Sequence, residues 1–131
     1  MTESTRNALV RAAADLPGRP SDGPLMLTVD DPPAGFEVER TIGLVRGNTI
    51  RARHVGMDIL AAFRTLVGGE IVEYTKLMAE SREQSLDRMR AEAQARGANA
   101  ILAVRFTTSM VMGGAAEILA YGTAVVLRPK G

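Results

Sequence analysis

The segment from Glu70 to Arg96 is the feature of this 131-residue sequence that most restricts its fold. Apolar and small residues recur along it at helical intervals and form one stripe. A helix of this length would extend about 40 Å, whereas a compact domain of this size is roughly 35 Å across. The sequence therefore predicts a helix that, unless it is kinked, projects beyond its domain and meets another subunit. The stripe consists of Ile71, Tyr74, Met78, Ser81, Ser85, Met89 and Ala93.

The segment from Ala116 to Leu127 predicts a strand that is apolar on both faces. A strand of a small sheet with one solvated face should instead alternate between apolar and polar residues. Helices can cover one face, and a neighbouring subunit is expected to cover the other. The alternative is that small, alanine-rich faces are tolerated in solvent. One face carries Leu119, Tyr121, Val125 and Leu127, and the other Ile118, Ala120, Ala124 and Val126.

Period-two patterns predict three further strands and helical spacing predicts a shorter helix. Gly68-Gly69 would end this helix, and Gly113-Gly114 would join the last two strands as a hairpin. Gly43 and Gly47 indicate bulges or close backbone approach. The strands span Leu25 to Val29, Phe36 to Ile50 and Ala98 to Met112, and the helix Val55 to Val67.

The order of these elements predicts an α+β fold, with an antiparallel or mixed sheet and two helices packed on one sheet face. The helices form a crossover, so the strands before and after it should run parallel. Side-chain alternation places Val38, Ile42 and Leu44 on one face of their strand. It likewise groups Leu102, Val104, Phe106, Met110 and Met112 on one face of theirs.

Composition excludes several classes of function. Sixteen Lys and Arg residues balance fifteen Asp and Glu residues, so no broad positive field favours nucleic acid. There is no cysteine, which excludes disulfides and thiolate sites. No apolar run is long enough for a signal peptide or a membrane span, so we expect a cytoplasmic protein. Residues 1–24 are expected to be a flexible N-terminal extension, and 25–131 one domain.

Several short motifs between Leu27 and Leu127 resemble those of the YbjQ-like family, small bacterial proteins that carry a heavy-metal-binding label. The resemblance implies a dodecin-like α+β subunit that assembles into a ring, as a homopentamer, with no agreed reaction. The motifs are Gly43-Leu44-Val45-Arg46-Gly47, Val67-Gly68-Gly69 with Glu73-Tyr74, Arg82-Glu83, Ala95-Arg96-Gly97-Ala98-Asn99-Ala100-Ile101 and Tyr121-Gly122-Thr123-Ala124-Val125.

Metal ligands are scarce in this sequence. His54 is the one histidine, and a surface histidine at a helix start explains it more simply than a ligand. Met110 and Met112 place two thioethers on one strand face, a feature that suits Cu(I), but methionine is common core filler. We therefore predict no metal site, with a site repeated by ring symmetry around His54 or Met110 and Met112 as the alternative.

Four residues around the start of the long helix form the candidate ligand site: Gly68, Gly69, Tyr74 and Arg82. A phenol, a guanidinium and turn amides could hold a small ligand between subunits. Packing at a subunit interface is the competing interpretation. Because no nucleophile–base motif is present, we predict a non-enzymatic homo-oligomer without a cofactor, which binds a small ligand or partner at its interfaces.

Overall fold

The computed structural model describes residues 23–51, 69–111 and 115–131, which form a four-stranded sheet and one helix. β1 pairs in parallel with β3, and β4 pairs antiparallel with both β3 and β2. The strand order is β1-β3-β4-β2, so β2 and β3 run in the same direction on either side of β4, as the crossover predicts. The elements are β1 (Leu25–Met26), β2 (Phe36–Arg51), α1 (Gly69–Ala95), β3 (Ala100–Val111) and β4 (Ala115–Pro129).

These elements confirm the predicted α+β class and its mixed sheet. The strand predicted from Leu25 to Val29 is shorter than expected, because pairing in β1 ends at Met26. Val111 pairs with Ala115 across the expected hairpin. The second predicted helix, Val55 to Val67, lies outside the described residues, and so does nearly all of the predicted N-terminal extension.

Helix α1 packs on β2 and β4, and this face of the sheet is called the helix side below. The small side chains of Ala120 and Ala124 lie fully buried beneath it. Small residues here allow the helix to approach the sheet closely. The cluster consists of Val45, Met89, Ala93, Ala98, Ile101, Val104, Ala120 and Ala124.

The closest approach is at Gly47, where a Cβ would collide with the backbone of Ser85 and Met89. Buried hydroxyl groups beside it are hydrogen-bonded rather than orphaned. The Ser85 hydroxyl oxygen lies 3.0 Å from the carbonyl oxygen of Ser81 and 3.1 Å from that of Ile118, so its one proton can be donated to either, and it lies 3.2 Å from the Thr49 hydroxyl. The predicted role of Gly47 in close backbone approach is thereby confirmed.

A second buried cluster lies on the opposite face of the sheet. Val125 and Leu127 of β4 belong to it, whereas Ala120 and Ala124 belong to the helix side. β4 is therefore buried on both faces at this end, and the expectation that a neighbouring subunit must cover the second face is wrong at Val125 and Leu127, which the chain itself buries. The cluster consists of Leu25, Phe36, Ala100, Leu102, Val125 and Leu127, with Leu27 packed against it.

Bulges correct two of the predicted strand faces. Ala103 adopts a positive φ of 55°, and the β3–β4 register shifts between Leu102 and Arg105. Leu102 consequently joins the second cluster while Val104 joins the helix side, so the predicted common face of these two residues is wrong. Shifts in β2 likewise separate Ile42, which packs on the helix side, from Leu44, which is 59% exposed.

Three charged side chains, spaced four residues apart along α1 and the residue that follows it, bind the outer edge of β2. Arg96 donates to the carbonyl oxygens of Ile42 (3.3 Å) and Leu44 (2.7 Å). The Glu92 carboxylate accepts from the backbone N–H of Arg46 (3.2 Å), and Arg88 donates to the carbonyl oxygen of Asn48. These side chains, here called the charge ladder (Arg88, Glu92 and Arg96), satisfy backbone groups that a neighbouring strand would otherwise bind.

Candidate functional site

The N-terminal part of α1 extends past the end of the sheet. Thr49, two residues before the end of β2, donates a hydrogen bond of 3.2 Å to the carbonyl oxygen of Ser81. The helical residues 69–80 precede this contact, and at about 1.5 Å per residue they span roughly 18 Å. Residues 69–80 are called the projecting segment below. β2 continues for two residues beyond Thr49, about 7 Å, so the first turns of α1 extend past the end of this strand. That the helix projects beyond its whole domain stays a prediction, because residues 52–68 lie outside the described residues.

The structure places the predicted ligand residues along this helix rather than around one point. Gly69 is the first residue of α1, and Arg82 is exposed two turns after Tyr74. Eight residues of helix separate the latter two positions by about 12 Å, so one small chemical group cannot bind both. Gly68 lies outside the described residues, and the Tyr74 side chain is outside them too.

The surface around Arg82 carries both signs of charge. Lys76, Glu80 and Glu83 are exposed beside it. These groups lie on an open helix surface and not in an enclosed cavity. The geometry therefore suits contact with an extended partner, such as the surface of another subunit, better than enclosure of a small molecule within one chain.

The predicted metal ligands divide between described and undescribed parts of the chain. The Met110 side chain is 76% exposed near the end of β3, so its thioether is accessible to solvent and is not core filler in this subunit. Met112 and His54 lie outside the described residues. Within residues 23–51, 69–111 and 115–131, no three His, Cys, Asp or Glu side chains are grouped so that they could hold a metal ion.

A row of side chains that the sequence analysis missed crosses the face opposite α1. Tyr121 of β4 pairs with Arg46 of β2 on one side and with Arg105 of β3 on the other. Val45, Gly47 and Ala120, their neighbours along the strands, face the helix. Alternation therefore points Tyr121, Arg46 and Arg105 to the other face. Together with Leu44 and Leu119, this row is called the open platform (Leu44, Arg46, Arg105, Leu119 and Tyr121).

The open platform combines positive charge with accessible apolar surface. Tyr121 is 36% exposed and Leu44 59% exposed, while Leu119 is half-buried. Arg105 is held in place by donation to the carbonyl oxygens of Thr28 (2.6 Å) and Val104 (3.0 Å). The described ion pairs join Arg90, Arg96 and Arg128 to carboxylates and include neither arginine of the platform.

The sequence contained part of the signal for this row. Arg46 lies in the Gly43-to-Gly47 motif, and Tyr121 opens the motif that ends at Val125. Arg46 and Tyr121 are 75 residues apart in the chain (121 minus 46), and only the strand register brings them side by side. Arg105 follows the bulge at Ala103, so simple alternation along β3 could not assign its face.

Comparison with known proteins shows close relatives. Residues 25–128 match a family described as "Putative heavy-metal-binding". A UPF0145 protein from Methanococcus maripaludis is 56% identical over 102 residues, which cover 78% of this chain and 91% of the relative. Another, from Dehalococcoides mccartyi, is 53% identical over 103 residues and covers 79% of this chain and 99% of the relative.

A solved structure shares the fold. It is a protein of unknown function from Pediococcus pentosaceus, assigned to the DUF74 family, with a TM-score of 0.52. The match covers 80% of this chain and 98% of that one at 13% sequence identity. It therefore shows a shared fold and nothing about function. Among the described residues, α1 is too polar to serve as a membrane-spanning helix.

Proposed function

This chain belongs to the YbjQ family, and on that premise we propose that it is a non-enzymatic homo-oligomer, a pentameric ring, that holds a small molecule or partner at its subunit interfaces. The projecting segment of α1 is the observation that carries the proposal. It continues the stripe of α1 that is buried against the sheet at Ser81, Ser85 and Met89. The positions Met78, Tyr74 and Ile71 extend this stripe by sequence toward and past the end of β2.

A second surface complements the projecting segment. Phe106 and Met110 pair with Ala120 and Ala116 of β4, which places them on the helix side of β3. They are 45% and 76% exposed, because α1 packs mainly over β2 and β4 instead. An apolar helix segment and an uncovered apolar strand on one chain form a head-to-tail contact, the kind of interface that closes into rings.

The ligand proposed for such an interface would lie beside the projecting segment. Arg82 and Tyr74 of one subunit are about 12 Å apart along the helix. A single ligand can contact both only if it is extended; otherwise one of them contacts the neighbouring subunit. Gly69, the first residue of α1, would supply a backbone amide at the helix N-terminus, where anions are favoured.

Substitution of the interface residues tests this proposal. We expect Tyr74→Ala and Arg82→Ala to weaken assembly about thirtyfold each, because truncation of an anchoring aromatic or arginine costs about 2 kcal/mol at an interface. Sedimentation velocity over a concentration series gives the change. Arg128→Ala is the matched control, since this exposed residue pairs with Glu37 on the sheet away from α1. The site assignment is abandoned if Tyr74→Ala and Arg82→Ala both assemble like the parent protein and keep any co-purifying ligand.

Metal binding is the second candidate, and the exposure of Met110 is the observation that favours it. A thioether in solvent can bind Cu(I), and a ring would bring several copies together. Metal analysis of untagged protein reconstituted with Cu(I) under reducing conditions, or with Zn²⁺ or Ni²⁺, tests it. Stoichiometric metal that is lost in Met110→Leu with Met112→Leu, or in His54→Ala, and retained in Met78→Leu supports this function. Absence of bound metal after reconstitution excludes it.

A further inference from the structure

The open platform lies on the face of the sheet opposite α1 and apart from the proposed interface. Its central residue is Tyr121, with Arg46 and Arg105 in register on the two neighbouring strands. Strands lie about 4.8 Å apart, and cross-strand partners on one face are within side-chain contact. Arg46 therefore lies beside a half-exposed phenol ring, whereas the Arg105 guanidinium is held at Thr28, on the far side of β3 from Tyr121.

The charge of this platform is not neutralised by its immediate neighbours. On the same face, the nearest acid of β4 is Glu117, four residues from Tyr121, and its carboxylate accepts a hydrogen bond of 3.2 Å from Asn48. Among the described ion pairs, none involves Arg46 or Arg105. The residues that complete the row across β3 and β4, Thr107 and Thr123, are uncharged. An anion placed over Tyr121 would meet the positive charge of Arg46 beside it, with that of Arg105 farther away across β3.

The apolar part of the platform determines the shape of what it accepts. Leu119 and Thr123 stand two residues on either side of Tyr121 on β4, and Leu44 pairs with Thr123. Leu119 and Leu44 therefore lie on opposite sides of Tyr121 on this face, each about 7–8 Å from it. A phenol ring between apolar side chains favours stacking of a planar ring.

We propose that the open platform binds a planar aromatic anion, whose ring lies on Tyr121 and Leu119 and whose carboxylate, sulfonate or phosphate group is held by Arg46. Arginine suits this role because its planar guanidinium binds such oxyanions with two parallel hydrogen bonds. Arg105, already anchored to Thr28 and Val104, contributes a fixed positive charge on the other side. This site does not depend on the proposed function, since it uses no residue of α1.

A matched pair of fluorescent probes tests the proposal on the full-length protein. The anion 1-anilinonaphthalene-8-sulfonate and its uncharged analogue N-phenyl-1-naphthylamine share the aromatic body and differ in the sulfonate. We expect the anion to bind more tightly, and Arg46→Gln to weaken its binding about tenfold, the loss of a charge-assisted hydrogen bond, with the neutral probe unaffected. Tyr121→Leu should weaken both probes.

Arg128→Gln is the control variant, because it removes an exposed arginine of β4 that pairs with Glu37 far from the platform. It should bind both probes like the parent protein, and circular dichroism checks that each variant is folded. The proposal is overturned if Arg46→Gln binds the anion as the parent does, or if both probes bind equally well to the parent. It is also overturned if Arg46→Gln reduces the mass of the assembly, since the face would then be a subunit contact.

Discussion

Gly47 sets the distance between α1 and the sheet. A side chain at this position would meet the backbone of Ser85 and Met89 and the Cβ of Arg88, and backbone atoms cannot rotate away as a flexible side chain can. The adjacent hydroxyl groups of Thr49 and Ser85 then satisfy each other and nearby carbonyl oxygens in the narrow gap. The small residues of the α1 stripe are thus explained by close packing and need no catalytic role.

Gly47→Ala should lower the free energy of unfolding by about 3 kcal/mol, because the added methyl group overlaps backbone atoms of α1 where the helix contacts β2. Urea denaturation followed by circular dichroism gives this value. Gly131→Ala is the control, since nothing lies within 4 Å of the Cβ it would add, and it should leave the midpoint unchanged. An unchanged midpoint for Gly47→Ala would show that α1 does not sit on β2 as described.

Individual glycines were predictable from the sequence, whereas one alanine was not. Gly43, with a φ of 127°, lies at a register shift, and Gly47 lies under the helix, as glycine within a strand pattern predicts. Ala103 also adopts a positive φ, which non-glycine residues rarely do. No local signal marks it, because the hydrogen bond from its N–H to the carbonyl oxygen of Val29 depends on a distant segment.

At the scale of elements, the charge ladder closes the outer edge of β2. The spacing of Arg88, Glu92 and Arg96 predicts neighbours on one helix face, and Arg96 and Glu92 do form an ion pair of 3.8 Å. Besides this contact with each other, each side chain binds a backbone group of β2, which helical spacing alone does not predict. Protection of an edge strand by charged side chains discourages pairing with other chains.

Removal of the ladder should therefore expose β2. We expect the double variant Arg88→Gln with Arg96→Gln to aggregate at concentrations where the parent protein stays clear, and to lose about 1–3 kcal/mol of stability as carbonyl oxygens lose charged donors. Light scattering over time measures the aggregation. Arg128→Gln with Lys130→Gln removes the same charge elsewhere and should remain clear. Equal scattering from the two double variants would show that the ladder does not protect this edge.

Element types and approximate ends followed from the sequence, but the faces of two strands did not. The helix predicted from Glu70 to Arg96 is observed as Gly69–Ala95, with Gly97 in a left-handed conformation just beyond it. Periodicity and the terminal glycine were sufficient there. Each bulge in β2 and β3 reverses the in–out alternation of the side chains that follow it. A bulge depends on how the strand pairs with its neighbour, and the sequence pattern of a single strand carries no information about that pairing.

For the whole molecule, two unpaired features of one chain support assembly. The projecting segment is roughly 18 Å long and its first turns lie past the end of β2, while Phe106 and Met110 remain exposed on the helix side of β3. Length alone predicted the first feature, since a helix of that size exceeds a domain of this mass. The second feature, like the open platform, depended on knowing which strands are neighbours.

Native mass spectrometry of the untagged protein tests the proposed assembly most directly. We expect one closed species, near 70 kDa for five chains of 14.0 kDa each, that persists on dilution to micromolar concentration. Added mass per subunit would give the mass of a bound ligand or metal. A monomer of 14.0 kDa without any adduct would contradict the proposed ring, because no second subunit would then contact the projecting segment.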